Sequence, residues 1–266
     1  MLDPFNRNIS YLRISVTDRC NLRCTYCMPE EGITLLKHSD ILTFNEIIEF
    51  TKTATQLGIT KVRITGGEPL VRKGIIDLVK QLAQIDEIAD FAMTTNGILL
   101  KQFAKPLYEA GLMRINVSLD TMNPDKYSAI TRGGNLSSVL EGLHVAKSIG
   151  FKPIKLNCVI NKSSKEVDAI EVKNFALQNG FEARFIPLMD LDKGIHGIVE
   201  GGDGGNCSIC NRIRLTANGL VKPCLFSDIG FNVRELGAKQ AIIQAIESKP
   251  KSGTTSIRNK FYNIGG

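Results

Sequence analysis

Three cysteines near the N-terminus, Cys20, Cys24 and Cys27, have the spacing C-x3-C-x2-C. Thiolates are the ligands of iron–sulfur clusters, and a 4Fe–4S cluster is normally held by four of them. Because no fourth cysteine lies nearby, one iron would keep an open site, where a cluster can act on a ligand. Zinc is one alternative, but its sites usually show paired C-x2-C spacing closed to four ligands. A disulfide framework is the other, and seven cysteines without a secretory signal argue against it.

A second set of three cysteines follows in the C-terminal region. Cys207, Cys210 and Cys224 have the spacing C-x2-C-x13-C, and Asn218-Gly219 between them is a strong β-hairpin signal. A hairpin would bring Cys224 back beside the other two. The pattern therefore predicts a second site with three thiolates, and a zinc site with a fourth ligand other than cysteine stays open as the alternative.

Short apolar runs rich in β-branched residues alternate with amphipathic stretches along the first 190 residues. The predicted strands are residues 12–16, 61–65, 91–94, 114–118, 155–160 and 183–189. The predicted helices are residues 44–57, 74–84, 100–110, 136–149 and 164–179. Alternating strands and helices predict a parallel sheet with right-handed crossovers. Six such units make an α/β fold of the partial (β/α)6 TIM-like barrel type, followed by a hairpin at 212–216 and 220–226.

Polar motifs follow the predicted strands at their carboxyl ends, where such barrels carry their active sites. The first cysteine set follows strand one, Gly66-Gly67-Glu68 follows strand two, and residues 95–97 and 119–120 follow strands three and four. The glycine pair would let the backbone approach a ligand closely, with a tight turn as the alternative. Cys158 falls at an apolar position inside a predicted strand and is predicted to be a core residue.

The composition predicts a cytoplasmic protein. No apolar run reaches the ~18 residues of a membrane helix, and the first residues lack the features of a signal peptide. Free thiols suit a reducing cytosol. The net charge of +6 is compatible with an anionic substrate. We predict no membrane and no nucleic-acid partner.

The first cysteine motif, with an aromatic residue before its last cysteine, resembles the signature of the radical S-adenosylmethionine superfamily. The resemblance implies that the open iron binds the amino and carboxylate groups of S-adenosylmethionine, whose cleavage yields a 5′-deoxyadenosyl radical. It further implies a set of contacts to this cofactor: Tyr26, Gly67, Thr94, Ser118 and Met189.

Five segments and the terminal Gly265-Gly266 together resemble the GTP 3′,8-cyclase family of molybdenum-cofactor biosynthesis. The segments are residues 13–21, 63–70, 130–134, 207–216 and 222–226. The resemblance implies two 4Fe–4S clusters at opposite ends of the barrel channel, one on each cysteine set. The second cluster would hold the guanine of GTP. The radical would take hydrogen from ribose carbon 3′, and the resulting carbon radical would attack carbon 8.

The same resemblance implies a set of substrate-binding cations and a catalytic tail. The cations that would line the channel are Arg13, Lys61, Arg63, Lys155 and Arg184, joined at its C-terminal end by Arg212 and Arg214. The terminal Gly265 and Gly266 would reach into the active site. The implied partners are GTP, an electron donor for the N-terminal cluster, and a downstream cyclic pyranopterin synthase that takes the product.

The expected organisation is a radical S-adenosylmethionine barrel over residues 1–189, a shortened glycine-rich linker over 190–206, and an auxiliary cluster region with a diglycine tail over 207–266. The linker is shorter than the family pattern, and Pro187 stands where an acidic residue is common, which suggests an edge strand. The chain could be a shortened paralogue acting on another nucleotide or a peptide, an artificially shortened form, or an enzyme whose wall comes from a second subunit in a homodimer. An inactive iron–sulfur protein is the remaining alternative.

Overall fold

A computed structural model describes residues 1–264 and contains a single twisted sheet with the strand order β6-β5-β4-β3-β2-β1-β7-β8-β9. The first six strands are parallel to their neighbours. Their bounds are β1 Tyr11–Ser15, β2 Lys61–Thr65, β3 Asp90–Thr95, β4 Arg114–Ser118, β5 Ile154–Ile160 and β6 Glu182–Pro187. All six predicted strands are present, and the predicted α/β partial barrel is confirmed.

Helices connect these strands and cover the outer face of the sheet. Their bounds are α1 Phe44–Gln56, α2 Ile75–Leu82, α3 Leu100–Glu109, α4 Pro124–Thr131, α5 Leu136–Ile149 and α6 Val167–Asn179. Helix α1 begins at a capping box, in which Thr43 and Glu46 satisfy each other's backbone N–H groups. Thr51 lies on its buried face and donates its hydroxyl to the Ile47 carbonyl oxygen at 2.7 Å.

Helix α4 is absent from the sequence prediction, although its start signals are present. Asn123 caps the helix by accepting from the amides of Asp125 and Lys126, and Pro124 occupies its first turn. Both residue types are favoured at these positions. The helix buries few residues, mainly Tyr127 and Thr131, so its apolar periodicity is weak.

The C-terminal hairpin extends the barrel sheet. Strand β7 (Arg212–Leu215) pairs in parallel with β1, while β8 (Leu220–Lys222) and β9 (Phe231–Asn232) follow in antiparallel pairing. Strand β8 is shorter than predicted because Pro223 has no N–H to donate to the ladder. The remaining helices are α7 Val233–Leu236, α8 Ala238–Glu247 and α9 Phe261–Ile264. The buried side chains of β7, β8 and α8 belong to the same core as the barrel.

Residues 197–205, whose glycines suggest a flexible linker, pack against the edge strand β6. Phe185 and Glu200 exchange a pair of backbone hydrogen bonds at 3.0 Å each. A Cβ at Gly205 would lie 1.8 Å from the Gly197 carbonyl oxygen, and one at Gly202 would touch the Arg184 guanidinium. Glycine is therefore required at position 205 for this close packing. Pro187 ends the edge strand, as its chemistry predicts.

Two further sequence expectations can be compared with the described residues. Cys158 is a core residue, with 1% of its surface exposed. Among residues 1–264, no helix combines the length and apolar character that a membrane crossing needs.

Candidate active site

Strands β2, β1 and β7 place a grid of polar side chains on one face of the sheet. Arg13 is in register with Arg63 on one side and with Arg214 on the other. Tyr11 is likewise flanked by Lys61 and Arg212. The residues between them point to the opposite face and are buried in the core, in pairs on each strand: Leu12 and Ile14, Val62 and Ile64, and Ile213 and Leu215. Because strand side chains alternate, the cations share the inward face of the barrel.

Burial and the proximity of like charges lower the pKa values of arginines in this arrangement. Burial, together with the neighbouring Arg214, Arg63 and Arg212, lowers the pKa of Arg13. Burial, Arg184 and Arg114 likewise lower the pKa of Arg63, although the nearby Tyr11 and Asp90 oppose the shift. Clustered buried cations are destabilising unless anions accompany them. The grid is therefore suited to a polyanionic ligand.

Four cations of this grid line a cavity of about 420 Å³ inside the barrel: Arg13, Lys61, Arg63 and Arg212. Such a volume is typical of small-molecule sites. Within the described chain, several buried polar atoms have no hydrogen-bond partner: Arg63 Nε, Arg184 Nε, Thr94 Oγ1 and the side-chain amide of Asn116. Three of these four side chains belong to residues that line the cavity. Unpaired buried polar atoms of this kind indicate a place for a ligand.

The first cysteine set lies in the loop after β1, at the carboxyl end of the sheet. Cys20, Cys24 and Cys27 line the cavity together. The Cys20 sulfur accepts from the Leu22 amide at 3.4 Å and from Asn96 Nδ2 at 3.7 Å. Burial and the neighbouring sulfurs or carboxylates raise the pKa values of Cys24 and Cys27 to about 12. Metal binding would therefore have to displace protons from these thiols.

Within residues 1–264, no three His, Cys, Asp or Glu side chains converge on the position of a single metal ion. A 4Fe–4S cluster takes its thiolates at separate iron atoms, and three thiols around one end of a cavity are the donor set that such a cluster needs.

A hydrogen-bond network joins the cysteine loop to strands β4 and β5. Tyr26 donates its hydroxyl to Asp120 Oδ2 at 2.9 Å, and Asp120 Oδ1 accepts from the Val159 amide at 2.8 Å. Burial raises the pKa of Asp120, while these two hydrogen bonds oppose the shift. Tyr26 is thereby held at the cavity wall beside Cys24 and Cys27.

Glu68 connects the loops that follow β2 and β3. Its carboxylate accepts from the amides of Asn96 at 2.7 Å and Leu70 at 3.0 Å, and from the Thr95 hydroxyl at 2.8 Å. Burial raises its pKa to about 7. The preceding Gly67 has no room for a side chain, because a Cβ there would lie 2.3 Å from the Arg19 carbonyl oxygen. The glycine pair thus permits close packing of two loops at the cavity.

The five residues predicted to contact S-adenosylmethionine all line this cavity: Tyr26, Gly67, Thr94, Ser118 and Met189. Of the predicted substrate-binding cations, Arg13, Lys61, Arg63, Arg184 and Arg212 line it as well. Lys155 is buried beside it and pairs with Glu182. Arg214 is partly buried next to Arg13. Gly265 and Gly266 lie outside the described residues.

The second cysteine set lies at the opposite end of the sheet from the first. Cys20 follows the carboxyl end of β1, whereas Cys210 precedes the amino end of the parallel, neighbouring β7. A strand of about five residues separates these ends by about 16 Å. The cavity extends to Asn211 and Arg212, which directly follow Cys210. The two thiol sets therefore lie toward the two ends of one cationic cavity.

Cationic neighbours change the acidity of the second set. Burial raises the pKa of Cys210, but Lys249 and Arg212 outweigh it and bring the pKa down to about 7. Arg212 donates from Nη2 to the Cys210 sulfur at 3.7 Å. Cys210 is therefore more readily deprotonated than Cys24 or Cys27.

Sequence reasoning missed several cavity residues. Tyr11 lies two residues before Arg13 on the same strand, so strand alternation could have predicted that it faces the cavity. Asp90 and Arg114, which pair across two strands at the cavity, give no such signal, because each looks like a solvated strand start. Asp203 and Phe261 reach the cavity from segments without apolar periodicity.

Comparison with known proteins identifies the superfamily to which the chain belongs. The sequence profile of the Radical SAM superfamily matches residues 14–176, which is more than half of the chain. The chain therefore belongs to the radical SAM superfamily, whose cofactors are S-adenosylmethionine and an iron–sulfur cluster. Structures of two other proteins share the fold: Streptococcus suis SuiB bound to S-adenosylmethionine (TM-score 0.66, 17% identity, 93% of this chain and 65% of that one) and anSMEcpe with bound AdoMet (TM-score 0.64, 14% identity, 91% and 81%).

Two curated relatives identify the family within this superfamily. A GTP 3′,8-cyclase of Thermodesulfovibrio yellowstonii is 42% identical over 325 aligned positions that take in all of both chains. One of Petrotoga mobilis is 40% identical over 314 positions, covering 98% of this chain and 95% of that one. Within the superfamily, the chain belongs to the GTP 3′,8-cyclase family.

The first of these alignments also measures how short the chain is. It spans 325 positions, whereas the chain has 266 residues, so 59 positions face gaps in this chain. The chain is therefore shorter than this relative.

Proposed function

We propose that the chain is a radical GTP 3′,8-cyclase that converts GTP to (8S)-3′,8-cyclo-7,8-dihydroguanosine 5′-triphosphate, the first step of molybdenum-cofactor biosynthesis. The observation that carries the proposal is the cationic cavity between two sets of three thiols. A triphosphate carries negative charge that complements the cations lining this cavity. An electron-transfer protein would have no use for such a cavity.

Cys20, Cys24 and Cys27 would hold the first cluster, next to the cavity residues that would bind S-adenosylmethionine. When bound, this pair supplies the radical that removes a hydrogen atom from the substrate. The protein's part is placement. Small side chains and backbone at Gly67, Thr94 and Ser118 leave room at the strand ends, while Tyr26 and Met189 complete the wall.

Cys207, Cys210 and Cys224 would hold a second 4Fe–4S cluster, which would bind the guanine of GTP. Arg212 and Arg214 stand on the strand that follows Cys210. Arg13, Arg63 and Arg184 would receive the triphosphate, since guanidinium groups match phosphate oxygens bidentately, and the Lys61 ammonium would add a positive charge. Lys155 would act on the substrate only after release from Glu182.

The C-terminal segment is anchored so that it leads toward the first cysteine set. Asn259 donates both amide hydrogens, to the carbonyl oxygens of Leu225 at 2.7 Å and Ser227 at 2.9 Å. Phe261 then lines the cavity, and Tyr262 interacts electrostatically with Cys27. This course supports a catalytic role for Gly265 and Gly266, the next residues after Ile264.

The proposed reaction requires an electron donor and an enzyme that uses the product. A reductant must supply the electron for the first cluster, and a cyclic pyranopterin synthase would consume the product. We place the protein in the cytoplasm, where oxygen-sensitive clusters and free thiols are maintained. We further propose that the protein forms a homodimer, in which the second subunit completes the cavity wall that the shortened chain lacks.

The test is anaerobic reconstitution followed by incubation of the reduced protein with GTP and S-adenosylmethionine. We expect about eight iron atoms per chain, GTP-dependent 5′-deoxyadenosine and the cyclic product. Deoxyadenosine without a cyclic guanosine product would show a radical enzyme that acts on another substrate. Redox-active clusters without cofactor cleavage would show an inactive iron–sulfur protein.

A further inference from the structure

Two buried basic residues outside the cavity contact the backbone around the second cysteine set. Lys249 follows helix α8 and is 3% exposed, and Arg7 lies near the N-terminus and is 8% exposed. Neither belongs to a segment that carries the family resemblance, and neither lines the cavity. Their contacts nevertheless involve the neighbours of all three cysteines.

Lys249 bridges the two strands of the hairpin. Its Nζ donates to the Arg212 carbonyl oxygen at 2.6 Å and to the Pro223 carbonyl oxygen at 2.7 Å. Arg212 is two residues after Cys210, and Pro223 directly precedes Cys224. One ammonium group therefore fixes the backbone next to two of the three thiols.

Arg7 holds the third cysteine. Its Nη1 donates to the Cys207 carbonyl oxygen at 2.7 Å, and its Nη2 donates to the Pro250 carbonyl oxygen at 2.6 Å. Its Nε pairs with Asp3 at 2.6 Å, which fixes the guanidinium in place. The chain segment that begins at Lys249 is thus tied to Cys207 from one side and to the hairpin from the other.

The charges around Lys249 point to an anionic group at this place. Arg7 has a carboxylate partner in Asp3, whereas the buried Lys249 ammonium donates to two neutral carbonyl oxygens, those of Arg212 and Pro223. Two carbonyl oxygens offset the desolvation of an ammonium only in part. Three thiolates around a 4Fe–4S core would supply the missing negative charge.

We propose that Lys249 is a positioning residue for the second iron–sulfur cluster, fixing the backbone beside Cys210 and Cys224 and placing one positive charge next to the cluster. This inference rests on the proposed function, because it requires that the second thiol set hold a cluster. Lys249 does not line the cavity in which S-adenosylmethionine and GTP would bind.

The test compares Lys249→Met with Lys251→Met after anaerobic reconstitution. Lys251 is exposed two residues away and contributes only its backbone carbonyl oxygen, so its substitution preserves the Arg7 contact. In Lys249→Met we expect iron to fall from about eight to about four atoms per chain. Cofactor cleavage at the first cluster should persist, which shows that the barrel is folded. Lys251→Met should match the wild type.

A potential measurement separates the charge of Lys249 from its structural role. A positive charge favours the reduced, more negative cluster, so Lys249→Gln should shift the midpoint potential of the second cluster to more negative values, whereas Lys249→Arg should restore it. Eight irons and an unchanged potential in Lys249→Met would overturn the assignment of Lys249 alone. If Lys249→Met does not fold, a wild-type potential in Lys249→Gln overturns it. Four irons in the wild type would overturn the proposed function and this inference together.

Discussion

Substitution of Gly205 by alanine should release the segment that packs on strand β6. Gly205 has φ +78°, and an added Cβ would lie 1.8 Å from the Gly197 carbonyl oxygen. Gly180 offers a matched control, because its φ is +71° and a Cβ there would meet nothing within 4 Å. Both variants force alanine into the left-handed region, but only Gly205→Ala adds a backbone clash.

The magnitude follows from the contacts that the clash would break. Alanine in the left-handed region costs about 1 kcal/mol at either position. Relief of the clash at Gly205 requires the turn to open, which loses the Val199–Gly204 backbone hydrogen bond of 2.8 Å and the reciprocal pair between Phe185 and Glu200. Three hydrogen bonds at about 1 kcal/mol each add about 3 kcal/mol. We therefore expect losses of about 4 kcal/mol for Gly205→Ala and about 1 kcal/mol for Gly180→Ala.

Urea unfolding of the cluster-free protein measures these losses, and hydrogen exchange locates them. The amides of Phe185, Val199 and Glu200 should exchange faster in Gly205→Ala, while core amides of β1 keep their protection. Because Gly202 lies over Arg184, the opened segment should also raise the KM for GTP more than it lowers kcat. Equal stability and equal exchange in the two alanine variants would refute the packing argument.

Three further predictions concern the two thiol sets, Glu68 and the C-terminal segment. Cys24→Ala should abolish cofactor cleavage, whereas Cys210→Ala should lose cyclisation and keep some uncoupled formation of 5′-deoxyadenosine; identical product profiles would contradict the division of labour between the clusters. Burial raises the pKa of Glu68 from 4.5 to about 7, so the folded state holds this proton more tightly and stability falls as pH rises through that window. The loss is at most about 3 kcal/mol in cluster-free protein, and urea titrations at several pH values should show a flatter profile for Glu68→Gln. Asn259→Ala removes two buried hydrogen bonds and should cost about 2 kcal/mol and slow cyclisation more than cofactor cleavage, as product analysis by chromatography will show.

The strands of the barrel could be predicted because each carries its own local signal. Leu12, Val62 and Ile115 sit in short apolar runs whose neighbours alternate, and a parallel sheet follows from the helices between them. The cysteine spacings likewise identified both thiol sets without knowledge of the fold. Strand ends shifted by one or two residues, because apolar residues such as Met189 continue past the last ladder hydrogen bond.

Long-range pairing was not predictable in the same way. Nothing in residues 212–215 says that β7 pairs with β1, since that register depends on the whole barrel edge. The role of Lys249 could not be predicted either, because a lysine after a helix is usually solvated. Only the structure shows that its ammonium group contacts two carbonyl oxygens of the hairpin. The cation grid was predictable only in part. The alternation of its side chains can be read from each strand's sequence, but the register that brings the strands' cations together is known only from the structure.

The pairing of β1 with β7 has a consequence for synthesis on the ribosome. Strand β1 is among the first elements to emerge, yet the partner for its outer edge is encoded near residue 212. At usual elongation rates the intervening stretch of about 200 residues takes on the order of 10 to 40 s to make. During that interval the nascent barrel presents an unpaired edge, the kind of surface through which incomplete chains aggregate. Chains released before β7 should therefore depend on chaperones far more than the finished protein does.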